Sequence, residues 1–118
     1  MSQLAPRRVG DVVATGVLSL VHAALALYLL FLNLGIAMST DPCAYLECGD
    51  ERWIWVAMFM ATCINGAAFF VGVCATIAFT GSRPRTAFIV PLIGCVGHLL
   101  LIVATIAVAS LAGPLAGA

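Results

Sequence analysis

The sequence predicts an all-α membrane protein, one domain over residues 1–118 with three transmembrane helices. Three observations predict it. The chain is 64% apolar and only 8% charged, whereas a soluble domain carries about a quarter charged residues. Three long stretches, 12–38, 53–79 and 87–111, contain no charged residue at all. The charges that remain sort by side, as flanking charges do around membrane spans.

Each stretch is then justified by length. At 1.5 Å per residue the first two reach roughly 40 Å, against a hydrocarbon core of about 30 Å. Lipid offers no water to backbone groups, so runs of this length must be helical. The alternation of a membrane barrel is absent. A cleaved signal is the rival for the first stretch, because Arg7–Arg8 is a suitable positive start and Ala37–Met38–Ser39 offers small residues to a peptidase. A signal's apolar region is about 7–15 residues long, and this one has 27. It is expected to remain as an anchor.

Arg7, Arg8, Arg83 and Arg85 flank one set of helix ends, with Asp11 the only acid there. Asp41, Glu47, Asp50 and Glu51 lie on the other side with Arg52 alone. The positive-inside rule places the N-terminus and the turn 80–86 in the cytoplasm, and the loop 39–52 and the C-terminus outside. The expected location is the cytoplasmic membrane. Trp53 and Trp55 open the second stretch at headgroup depth. Pro42, Pro84, Pro91 and Pro114 fall at or near helix ends, where a missing N–H costs least. With no Lys, no basic run and zero net charge, nucleic acid is excluded as a partner. The lipid bilayer is the first partner expected.

Three strongly polar side chains lie deep in the stretches: His22, Asn65 and His98. Each is about 15–18 Å from its nearer interface, so the three share a level. At about 100° per residue they sit in stripes of small and hydroxyl-bearing residues. The stripes are Thr15, Ser19, His22, Ala26 and Asn33; Met58, Thr62, Asn65, Ala68, Gly72 and Thr76; and Pro91, Gly94, His98, Thr105 and Ala109. Such faces meet other helices in lipid. The three residues are expected to form a buried polar layer. Structural hydrogen bonding is the first reading of this layer. Haem b is the second, with His22 and His98 as axial ligands and Gly94 and Gly97 relieving the macrocycle. A proton path is the third, although no carboxylate lies within the stretches.

The five Cys divide by place. Cys43 and Cys48 stand in the outer loop, where a disulfide across a four-residue gap is sterically reasonable. A metal held by the two thiolates and neighbouring carboxylates is the weaker rival, because zinc sites want four mostly Cys or His ligands. Cys63, Cys74 and Cys95 read as small packing residues.

The absence of Lys, the twenty Ala and the loop Asp-Pro-Cys-Ala-Tyr-Leu-Glu-Cys-Gly-Asp over 41–50 resemble the small multi-pass membrane proteins of high-GC actinobacteria. The resemblance implies an accessory or assembly role in a respiratory or envelope complex, and it carries over no catalytic residue. A non-catalytic subunit packing against larger membrane proteins is therefore the expected function. A small b-type cytochrome or other redox carrier is the alternative, and a homo-oligomeric transporter the third.

Overall fold

The computed structural model describes residues 5–114, with side chains from Val9 onward. Residues 115–118 and the side chains of Arg7 and Arg8 lie outside that range. Three long helices lie side by side in a body of 68 × 21 × 17 Å. Helix α1 is Ala5–Met38, α2 is Arg52–Ser82 and α3 is Ile89–Ser110. All three are long and apolar enough to cross a membrane, and each packs against the other two.

The boundaries depart from the sequence expectation: α1 begins at Ala5 rather than at 12, and α3 runs Ile89–Ser110 rather than 87–111. Helix α2 continues through Thr80, Gly81 and Ser82, inside the expected 80–86 turn. The Thr80 and Ser82 hydroxyls donate to the carbonyls of Thr76 and Ala78, one turn back, at 2.7 and 2.9 Å. These polar residues thus extend the helix rather than break it. It stops at Arg83, which precedes Pro84 and has φ −140° and ψ 69°, as the clash with a following proline ring requires. The turn proper is 83–88.

Helix α2 is not uniform. Met60–Ile64 is a π-helical turn between α-helical Arg52–Phe59 and Asn65–Ser82. A π turn closes i→i+5 and so holds one residue more than an α turn, which shifts the phase of everything before it. The buried face is Ile54, Ala57 and Ala61, followed by Asn65. The expected stripe ran through Met58 and Thr62 instead. Met58 is half-buried, and Thr62 and Ala68 are exposed.

The half of the bundle next to the 39–51 loop is an apolar core of Leu29, Ile36, Ile54, Ala57, Ala61, Ile102, Ala109 and Ala112. Above it the loop 39–51 folds down on the end of α3. A 3₁₀ turn, Asp41–Ala44, starts the loop with Pro42 near its N-terminus. Cys43 and Cys48 lie at disulfide-bonding distance, their Cα atoms 5.6 Å apart. The Gly49 N–H donates to the Gly113 carbonyl at 3.1 Å, and Cys48 bridges to Pro114. Ala112 and Gly113 are buried beneath. At the entry to α2, the Asp50 carboxylate accepts the Arg52 backbone N–H at 2.9 Å and takes the Arg52 guanidinium at 2.7–3.2 Å. Those bonds hold the Asp50 carboxyl below its ordinary pKa.

If the bridge ties this loop, Cys43→Ser and Cys48→Ser should each lower the thermal midpoint. The double variant should fall no further than either single one, because the two residues act as a unit. A loop this short gains only about 2–2.5 kcal/mol by the chain-entropy model. Intact-mass analysis under non-reducing alkylation provides the direct check, and two alkylated thiols in the loop would overturn the bridge.

Candidate functional site

His22, Asn65 and His98 meet in one hydrogen-bonded chain that ties all three helices together. His22 and His98 are each 2% exposed, and Asn65 is 4% exposed. His22 Nε2 lies 2.9 Å from His98 Nδ1. His98 Nε2 lies 2.9 Å from Asn65 Oδ1. Asn65 Nδ2 donates to the Ala26 carbonyl on α1 at 2.9 Å.

The network fixes its own protons. A carbonyl accepts only, so the Ala26 oxygen requires the amide nitrogen of Asn65, which turns Asn65 Oδ1 toward His98. Oδ1 in turn requires a proton on His98 Nε2. With His98 neutral, its Nδ1 is then a lone pair, and His22 Nε2–H donates to it. Every bond in this sequence crosses between helices, and all three side chains are buried.

Glycine makes the room. A Cβ at Gly72 would lie 2.5 Å from His22 Cε1, and one at Gly94 would lie 2.9 Å from the same atom. The imidazole of His22 thus fills a slot whose walls are the bare backbones of α2 and α3. Phe69 adds a tilted ring 5.3 Å from it, and the two imidazoles meet edge to face with centroids 4.5 Å apart.

This arrangement does not fit a haem held between the two histidines. Axial ligation would put an iron where the 2.9 Å bond between the rings runs. The macrocycle would also need the space that Gly94 gives to the His22 ring. Gly97, the other glycine expected to relieve a macrocycle, is exposed with nothing within 4 Å of an added Cβ.

Most stripe hydroxyls turn inward on their own helix. Thr15, Thr76 and Thr105 donate to the carbonyls four residues back, at 2.7–2.8 Å. Thr62 alone joins two helices, accepting from Asn33 Nδ2 at 2.6 Å. Asn33 Oδ1 is buried there without a partner. Thr62 stands in the π turn, and it and Asn33 both belong to the stripes expected to meet other helices.

The three remaining cysteines divide. Cys95 is buried, with its Sγ 3.5 Å from the Leu18 carbonyl, in keeping with a packing role. Cys63 and Cys74 are exposed, so of the three cysteines read as packing residues these two pack against nothing within the described bundle. They occupy the face of α2 away from Asn65, and that face has no helix against it. Cys63 lines an open groove of ≈ 790 Å³ between α2 and α3, with Ala67, Ala68, Gly72, Ala75 and Ile93 among its walls.

The chain matches no protein-family model, no curated protein and no solved structure.

Proposed function

We propose that this chain is a non-catalytic integral membrane subunit that packs against larger membrane proteins of the bacterial cytoplasmic membrane. The arginine distribution orients it with the N-terminus and the 83–88 turn in the cytoplasm and the disulfide loop outside. The observation that carries the reading is the groove between α2 and α3. Its α2 wall carries small side chains, Cys63, Ala67, Ala68, Gly72 and Ala75, set among Phe59, Ile64 and Val71, and small residues of this kind let helix backbones approach closely in lipid. The histidines and the asparagine at the same level spend their hydrogen bonds on one another. They hold three helices as one rigid body with an open side, consistent with an accessory or assembly role in a respiratory or envelope complex.

Purification from native membranes in a mild detergent, followed by mass spectrometry of what accompanies the chain, tests this. A stoichiometric partner that is lost on Ala68→Trp, with the thermal midpoint of the free chain unchanged, is the expected result. Recovery only as a free monomer would overturn the reading. Recovery only as a complex of identical chains would move it to a homo-oligomer.

A further inference from the structure

We propose that the end of the α2–α3 groove nearest the 83–88 turn binds one anionic phospholipid, with an acyl chain in the groove and the phosphate against Arg83 and Arg85. The inference goes beyond the subunit reading above and shares only its premise that the three helices cross a membrane. At this end the groove is walled by Val71, Gly72 and Ala75 of α2 and by Val90, Ile93 and Gly94 of α3. None of the six offers a polar side-chain atom, so the part of a ligand that fills this space is hydrocarbon. Val90 is the second residue of α3, which brings the groove to within one helical turn of the 83–88 loop.

The loop supplies the opposite chemistry. Arg83 and Arg85 are both exposed. The one ion pair among the described residues joins Arg52 to Asp50 at the other end of α2, so neither guanidinium is committed to a carboxylate there. Asp11 is the only acid that the sequence places at this end of the bundle. The N-terminus of α3 opens from the same loop, and its dipole adds positive potential. A guanidinium fork binds phosphate oxygens through parallel hydrogen bonds, and basic clefts between transmembrane helices on the cytoplasmic side hold acidic headgroups.

Length decides what joins the two. Ser82 and Gly72 are ten residues apart on α2, about 15 Å along a helix and half of a hydrocarbon core of about 30 Å. A lipid of one leaflet with its phosphate at Arg83 therefore lays a chain along α2 as far as Gly72 and Gly94. A partner helix seated on Ala67 and Ala68 crosses α2 at about 20–40° and so draws away from it toward the loop. An acyl chain bends to follow the wall that remains.

The test is native mass spectrometry of the full chain in detergent, mixed with phosphatidylglycerol and phosphatidylcholine of identical acyl chains. Both lipids carry a phosphate, and only phosphatidylglycerol is anionic overall. One phosphatidylglycerol per chain should be retained, in preference to phosphatidylcholine by about thirtyfold, the worth of two arginines beside an anionic lipid. Arg83→Gln combined with Arg85→Gln should bring the two lipids to parity. Ala75→Trp, which fills the groove, should abolish retention of both. Glycerol phosphate, the headgroup without chains, should not displace the bound lipid. Equal retention of the two lipids by the wild type would overturn the proposal, as would a preference that survives the double arginine variant. Displacement by glycerol phosphate, or full retention by a folded Ala75→Trp, would overturn it too, because the groove would then hold no chain. The arginines are exposed in a turn, so their variant decides the matter should Ala75→Trp fail to fold. No arm needs a protein partner, so this proposal and the subunit reading fail separately.

Discussion

Gly49→Ala should be among the most damaging single-methyl changes in the protein. An added Cβ at Gly49 would overlap the backbone carbonyl of Leu111. A backbone group cannot swing aside as a side-chain tip can. Relief requires the loop to lift from the end of α3, which breaks the Gly49 N–H to Gly113 bond at 3.1 Å and exposes Ala112, now 1% exposed. Overpacking of this kind costs about 1–3 kcal/mol, and the lost hydrogen bond adds about 1 kcal/mol. Gly66→Ala is the control, because a Cβ there meets nothing within 4 Å and alanine is the better helix former by about 1 kcal/mol. Thermal unfolding in nanodiscs should show a clear fall in the midpoint for Gly49→Ala and none for Gly66→Ala. Equal midpoints would mean that the loop and the end of α3 do not bear on each other.

That contact between loop and α3 is also where sequence reasoning stopped. Span lengths and the absence of charge locate three helices, because crossing a membrane fixes how many apolar residues a helix needs. Depth and a 3.6-residue period bring His22, Asn65 and His98 to one level and one axis, and the short spacing of Cys43 and Cys48 brings them together. None of these signals speaks of how an outer loop and a helix end at the far end of the chain touch each other. The docking of Gly49 on Gly113 is a tertiary event between residues with no side chains to pattern.

The phase slip in α2 has a different origin. Periodicity assumes a constant angle per residue, and the π turn at Met60–Ile64 breaks that assumption five residues before the most informative side chain of the helix. Counting backwards from Asn65 at about 100° per residue favours Met58 over Ala57 and leaves Ala61 and Thr62 on either side of the line, while the structure buries Ala57 and Ala61. Beyond the π turn the period holds, and Phe69, nearer the Asn65 line than Ala68, takes the inner position against His22. Gly72 and Gly94 were visible as small residues on the right faces. Their shared purpose was not, because it depends on which ring of which helix enters between them.

His98→Leu is the second large effect, and its size follows from the position of His98 in the middle of the chain of bonds. Removing it strands two groups at once: the His22 N–H that it accepts and the Asn65 oxygen that it donates to. An interhelical bond in a membrane averages about 0.6 kcal/mol. A buried group left without a partner costs about 1–3 kcal/mol, so two stranded groups come to about 2–6 kcal/mol. Asn65→Leu strands His98 Nε2–H and the Ala26 carbonyl, but the latter keeps its place in the α1 backbone ladder, and about 1–2 kcal/mol is expected. Unfolding in mixed micelles, driven by a denaturing detergent, measures both. The double variant is the sharper test. Once His98 is gone, the Asn65 oxygen has already lost its donor, so Asn65→Leu in that background removes an orphan rather than a bond. The double variant should therefore be no less stable than His98→Leu alone, a coupling of at least about 1 kcal/mol. Costs that simply add would show that the two side chains stabilise the bundle separately, and that the chain of bonds through His98 does not act as one unit.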